Sequence, residues 1–198
     1  NLSSNFLYQL LRWAKVLASR HPLELKYLVI IADLYREMPL TVENSTISLK
    51  YLSAAIALNS RHPQLYAERG LTYADLIVTD PPKAHEYREK ALADSRTAYQ
   101  LAPHVPDMQL QYFAMQSTVQ EDTRYLEAYL DNHRRELSTR QWIFALSVLY
   151  NQRSQNSLEF IRDQLAALEK HGRTDLKQSR EYADYLIEEL NIVPQQLF

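Results

Sequence analysis

The sequence is poor in the residues on which several kinds of chemistry depend. It has no cysteine and only two glycines among 198 residues. The lack of cysteine excludes disulfides, thiolate zinc sites and cysteine nucleophiles. The two glycines, Gly70 and Gly172, are too far apart to form the glycine-rich loop that cradles phosphate. The formal net charge of −2 gives no strong field to attract nucleic acid or an anionic membrane.

Long apolar runs are also missing. No stretch approaches the roughly 18 to 20 residues that cross a bilayer. The chain starts at Asn1 without a methionine or a basic-then-apolar signal segment. We therefore expect a soluble domain, cytoplasmic or periplasmic, cut or processed from a larger parent protein. Any membrane anchor of that parent would lie outside this chain.

The six histidines are scattered, with no pair at the helical spacing of metal ligands. The nearest candidate is His85 with Glu89, for which a solvated helix is the plainer interpretation. His21 and His62 each precede a proline at a predicted helix end, where a cation complements the partial negative charge of the helix C-terminus. We predict no cofactor, no metal site and no catalytic residue.

One basic cluster is the best candidate for binding nucleic acid. It consists of residues 133–135, with Arg140 beyond it. The cluster lacks interleaved aromatic residues and is offset by Asp131 and Glu136. We interpret it as a solvated helix end and predict no nucleic-acid partner.

Helical periodicity dominates the rest of the sequence. Apolar residues recur at steps of three and four, as in Phe6, Leu10, Trp13 and Leu17 of the first segment. We predict ten helices, at about residues 4–19, 23–38, 45–59, 63–78, 81–102, 107–118, 122–136, 138–151, 154–170 and 174–190, and a tail over 191–198. The predicted helix-end residues are Asn44 or Ser45, Asp80, the capping box of Ser138 and Gln141, Ser154, and Gly172 as a left-handed stop.

Two short segments recur in nearly the same register. Ser19–Pro22 returns letter for letter as Ser60–Pro63, and Ala32–Leu34 returns as Ala74–Leu76. A repeated pair of helices, slightly longer than a period of about 34 residues, accounts for both recurrences.

Gly70 lies inside one of the predicted helices. Glycine costs roughly 1 kcal/mol relative to alanine in that position, so a packing reason is expected. Tyr66, Gly70 and Tyr73 fall on one helical face, and the missing side chain allows a second helix to approach between the two rings. We predict that Gly70 packs against the following helix between Ser95 and Ala98.

With Ala91, Ser95, Ala98 and Pro103 downstream, this pattern resembles the tetratricopeptide repeat. It departs from that repeat at Arg69, where leucine is usual, and at Ser95, where an aromatic residue is usual. The resemblance implies an all-α fold, an α-solenoid of antiparallel helix pairs that winds as a right-handed superhelix.

The resemblance is good over about residues 20–106 and weak afterwards. We predict a single tetratricopeptide-like domain over 1–198. Within it, 1–106 would hold recognisable repeats, and 107–198 would hold divergent helical repeats and a C-terminal cap.

The resemblance implies a non-enzymatic scaffold that binds a protein partner, a helix or an extended segment, on its concave face. In the family the first helix of each pair lines that face. By motif, the predicted partner-binding residues are Lys26, Val29, Asp33, Arg36, Gln64, Ala67, Leu71, Ala74, Asp107, Leu110, Ala114 and Ser117. Such domains serve bacterial envelope machines, including exopolysaccharide and pilus assembly. The rival interpretations are a helical regulatory domain of a transcription factor and an enzyme with an unrecognised site.

Tyrosine is the one enriched residue type, with fourteen copies against five phenylalanines. Tyrosine rings either pack the scaffold or line a wet groove, where the ring offers apolar area and the hydroxyl a hydrogen bond. The sequence leaves both alternatives open.

Overall fold

The computed structural model describes residues 4–192, and over this range the chain is helical without a strand. The α-helices are α1 Ser4–Arg20, α2 Leu25–Arg36, α3 Val42–Leu58, α4 Pro63–Thr79, α5 Ala84–Leu101, α6 Pro106–Gln120, α7 Arg124–His133, α8 Thr139–Asn151, α9 Gln155–Lys170 and α10 Lys177–Ile192. The predicted all-α class and the ten helices are confirmed for this part of the chain. Of the predicted tail, 193–198 lies outside the described residues, whereas Asn191 still belongs to α10.

Two of the predicted helix ends are confirmed. The Ser138 hydroxyl accepts a hydrogen bond from the Gln141 backbone N–H, and the Gln141 side chain accepts one from the Ser138 backbone N–H at 2.8 Å, which completes the capping box. Gly172 follows α9 with φ of 98°, in the left-handed region that favours glycine.

One predicted N-cap is wrong, and two others stand at the predicted position without a side-chain cap bond. Thr41 caps α3, because its hydroxyl accepts the Asn44 backbone N–H at 3.1 Å; the sequence offers three adjacent polar residues that compete for this role. Asp80 makes no cap bond and instead accepts a hydrogen bond from the Tyr87 hydroxyl at 3.0 Å. Ser154 also makes no cap bond, since its hydroxyl pairs with that of Ser157.

The chain forms two compact units, 1–108 and 109–198. In the first, which we call unit 1, α2 packs on α3, α3 on α4, and α4 most extensively on α5. Among the described residues, its buried apolar side chains form three clusters, the largest between α1 and α2, and Tyr66 packs against the other two. Unit 1 therefore consists of helices that are each held mainly by their neighbours in sequence.

Gly70 explains the close approach of α4 and α5. A Cβ atom added to Gly70 would lie 2.9 Å from the Ser95 hydroxyl oxygen and 3.2 Å from the Ala91 carbonyl oxygen. The predicted contact with the following helix is confirmed, but it lies over Ala91 to Ser95, about one turn before the predicted position between Ser95 and Ala98.

The first helix packs on a different face from the one its periodicity suggested. Leu7, Leu11 and Ala14 are buried against α2, whereas Leu10 and Trp13 are exposed. Both sets recur at helical spacing, so the sequence pattern alone does not distinguish the covered side from the open side.

The second unit, called unit 2, has one continuous core. Eighteen buried residues from α6 to α10 belong to it, including Trp142, Leu146 and Leu158, none of which is accessible to solvent. Neighbouring helices cover Trp142 and Leu146, and Phe144 is half-buried on the same core.

The structure contains no helix, within residues 4–192, that is long and apolar enough to span a bilayer. The single-domain and solenoid assignments remain predictions.

Candidate protein-binding face

The first part of the predicted face lies on α2 and consists of one apolar and two charged side chains. Val29, Asp33 and Arg36 recur at steps of four and three, so they lie on one side of the helix. Asp33 is exposed, while Val29 and Arg36 are half-buried. Lys26, one turn earlier, is exposed and pairs with Glu24 at 3.4 Å.

The open stripe of α4 consists of Gln64, Glu68, Leu71 and Asp75. These residues also recur at steps of four and three, and all are exposed or half-buried. The Gln64 amide donates a hydrogen bond to Glu68 at 2.6 Å. Together with Val29, Asp33 and Arg36 they form what we call the α2/α4 face.

An ion pair joins the two helices of this face. The Arg36 guanidinium donates a hydrogen bond to the Glu68 carboxylate, and both side chains are about three quarters buried. Such a pair fixes the relative position of α2 and α4 more than it stabilises them, since desolvation offsets much of the Coulomb attraction.

The α2/α4 face has more carboxylates than cations. Its one guanidinium, that of Arg36, pairs with Glu68 and interacts electrostatically with Asp33 and Asp75. Partial desolvation raises the pKa of Asp33, the nearby Glu68 charge raises it further, and Arg36 lowers it. Desolvation raises the pKa of Asp75 as well, against the opposing effect of Arg36. The face therefore holds acidic groups whose charge is incompletely compensated.

Four of the predicted partner-binding residues are buried, so their prediction as binding residues is wrong. Ala67 packs with Ala98 and Met108 inside unit 1. Leu110 and Ala114 belong to the core of unit 2, and Ser117 is fully buried. Their side chains are already covered by the protein's own helices.

The remaining predicted residues stay accessible. Asp107 is exposed at the start of α6, and Ala74 is half-buried beside Asp75. No contact with a partner tests their role, which stays a prediction.

Glu68 and Asp75 were not predicted, and they stand one residue after the predicted Ala67 and Ala74. The open stripe of α4 is thus displaced by one residue from the stripe that the repeat motif implies. The spacing from Gln64 to Glu68, and from Leu71 to Asp75, was the available signal for the open stripe.

A second missed feature lies at Arg69, where the repeat pattern has leucine. The Arg69 guanidinium donates two hydrogen bonds to the buried Asp94 of α5, at 2.7 and 2.8 Å. It also reaches the Ser53 hydroxyl of α3 at 3.2 Å. This departure from the pattern thus links three helices, and the pKa of Arg69 is raised by its hydrogen bonds to Asp94.

The two polar clusters considered in the sequence, His85 with Glu89 and the basic residues 133–135, lie at the protein surface or pair with nearby side chains. His85 and Glu89 are exposed on α5, and the described residues contain no group of three or more side chains suited to hold a metal. Arg134 pairs with Asp131 at 3.0 Å and bonds to Gln164 at 3.2 Å. The basic cluster is thus partly neutralised by its own helix.

The tyrosines divide between packing and surface. Tyr35, Tyr87 and Tyr129 are buried, and Tyr129 stacks between Phe113 and His133 with ring centroids 5.2 and 4.4 Å away. This aromatic stack borders a shallow groove between α6 and α7 in unit 2. The rings of the stack use one another as partners, which favours the packing interpretation at this place.

Comparison of the chain with protein-family models, with curated proteins and with solved structures finds no match.

Proposed function

We propose that this chain is a protein-binding scaffold that holds a cationic amphipathic segment, a helix or an extended strand, on the α2/α4 face. The observation that carries the proposal is the arrangement of three carboxylates, Asp33, Glu68 and Asp75, around the half-buried side chains of Val29 and Leu71. A partner with lysine or arginine beside an apolar stripe complements both features.

The resemblance to tetratricopeptide repeats supports the same two helices, although its motif selects neighbouring residues on α4. The family binds partners on the first helix of each pair, and α2 and α4 hold that place in the pattern. Arg36 acts as a positioning residue in this proposal, because its pair with Glu68 fixes the two helices at one spacing before any partner arrives.

Photocrosslinking in the natural full-length protein tests the proposal. A benzophenone amino acid at Ala74, beside the face, is compared with one at the exposed Glu89 of α5. We expect Ala74 to crosslink to one defined segment that carries lysine or arginine beside apolar residues. Crosslinks from Glu89 alone, or only to acidic segments, would contradict the proposal.

A charge-changing variant then measures the contribution of the face. Asp33→Arg with Leu71→Glu should abolish the Ala74 crosslink, because it reverses a charge and removes apolar contact. Glu89→Arg with Leu58→Glu makes the same two kinds of change at exposed positions elsewhere on unit 1 and should leave the crosslink intact.

A further inference from the structure

The open side of α1 is a second surface, distinct from the α2/α4 face. Trp13, Val16 and Leu10 are 72%, 45% and 37% exposed, although they lie on a helix whose other side is buried against α2. Removing such side chains from water is favourable, so a partner that covers all three would gain from their burial.

These side chains line a shallow groove on the open side of α1, together with Arg12 and Arg20. Residues four apart on a helix, such as Trp13 with Leu17, form the ridges between which such grooves lie. Ridges and grooves of this kind are the shape into which another helix packs.

The packing of unit 1 also points to a helix. Both α3 and α4 have extensive contacts with a helix on each of two sides, whereas the one extensive contact of α1 is with α2. Among the described residues, α1 is thus a helix of the same kind with one side uncovered.

All the charged side chains of α1 are basic, which favours an acidic partner. Arg12, Lys15 and Arg20 are its only charged residues, and the first acidic residue of the chain is Glu24. Lys15 donates a hydrogen bond to the Tyr35 hydroxyl at 2.8 Å, whereas Arg12 and Arg20 line the groove without a carboxylate partner among the described residues. A second copy of α1 would bring three more cations against these, which disfavours a symmetric dimer.

We propose that the α1 groove binds an acidic amphipathic helix, whose apolar stripe covers Leu10, Trp13 and Val16 and whose carboxylates pair with Arg12 and Arg20. The proposed function concerns the α2/α4 face and a cationic partner, whereas this proposal concerns α1 and an acidic partner. Either proposal can therefore be wrong without affecting the other.

Trp13 fluorescence provides a site-specific test on the whole chain. The probe is a synthetic helical peptide of about 18 residues, long enough to be helical on binding, with leucines on one face and glutamates beside them. The comparison peptide has lysine in place of every glutamate. We expect the acidic peptide to shift Trp13 emission to the blue and to bind about tenfold more tightly than the lysine peptide. Trp142 is fully buried and does not report on either surface.

Variants decide whether the groove is responsible. Arg12→Glu with Arg20→Glu should reverse the peptide preference, and Trp13→Ser with Leu10→Ser should abolish acidic-peptide binding, followed with a labelled peptide. Lys50→Glu with Arg96→Glu, which changes two exposed cations elsewhere, should change neither result. All these positions are exposed, and circular dichroism melts check that the variants fold.

Several outcomes would overturn the proposal. Equal affinity for the two peptides, or acidic-peptide binding that survives loss of Trp13 and Leu10, would exclude the groove. A blue shift with vesicles of phosphatidylglycerol and phosphatidylcholine but not with the peptide would assign the face to a lipid surface. A dimer in analytical ultracentrifugation that Trp13→Ser abolishes would assign it to a second copy.

Discussion

The two units of this chain place their apolar and polar side chains differently. In unit 2 a single cluster joins α6 to α10, and its largest member, Trp142, has no contact with solvent. In unit 1 the buried apolar residues form smaller clusters, two of which share Tyr66. Two ion pairs, Arg36 with Glu68 and Arg69 with Asp94, add polar links between helices that these clusters also join.

The two units also differ in what they leave exposed. Among the described residues, the exposed large apolar side chains lie mostly in unit 1, whereas unit 2 has Phe160 and Tyr185. Both proposed binding surfaces, the acidic α2/α4 face and the basic, apolar α1 groove, lie in unit 1, and the predictions below compare the packing of the two units.

The largest expected effect contrasts the two tryptophans. Trp142→Ala should lower the free energy of unfolding by about 3–5 kcal/mol, because it empties a fully buried site in the core of unit 2. Trp13→Ala, at 72% exposure in unit 1, should change it by less than about 0.5 kcal/mol. Urea unfolding followed by circular dichroism measures both, and equal losses would mean that Trp13 is packed inside unit 1 and not exposed on it.

The next effect tests whether polar links hold unit 1. Asp94→Ala should cost about 3 kcal/mol, at the low end for a broken buried pair, because Arg69 is left without its carboxylate but retains 21% exposure. The double variant Arg69→Leu, Asp94→Ala removes the orphaned charge and should be more stable than Asp94→Ala alone. The same urea experiment decides this, and a double variant as unstable as the sum of its parts would rule out coupling between the two residues.

The sequence was sufficient for the helices because their signals are local. Steps of three and four, prolines after helix ends and the capping box at Ser138 each act within one or two turns, and the structure confirms the class and number of helices over residues 4–192. The left-handed stop at Gly172 was predictable for the same reason.

The face of each helix was harder to predict, because it depends on neighbours distant in sequence. Both Leu7 and Leu10 lie on apolar stripes of α1, and only the position of α2 decides which is buried. The link from Arg69 to Asp94 spans two helices and has no local signature. On α4 a rotation of one residue separates the buried Ala67 from the half-buried Glu68.

A smaller effect probes the contact between α4 and α5. Gly70→Leu should lower stability by about 1–3 kcal/mol through overpacking against Ala91 and Ser95, although leucine is the better helix former. Ala74→Leu adds a leucine to a half-buried position of the same helix and should change stability by less than about 0.5 kcal/mol. Thermal melts compare the two, and a Gly70→Leu protein as stable as the parent would exclude the close-contact explanation.

The smallest expected effect depends on pH and tests whether the acidic face of unit 1 is strained. Folding raises the pKa of Asp75 through desolvation, so the folded state binds this proton more tightly than the unfolded state does. Ionised Asp75 therefore destabilises the fold at neutral pH, and this cost disappears as the pH falls through the raised pKa toward the ordinary value of about 3.9. Asp75→Asn should be more stable than the parent at pH 7, by less than about 0.5 kcal/mol, and should lose this advantage in acid. Melting temperatures between neutral and acidic pH measure it, with Glu89→Gln at an exposed position of α5 as the control. If the advantage of Asp75→Asn grew in acid instead, ionised Asp75 would stabilise the fold, and this face would not be strained.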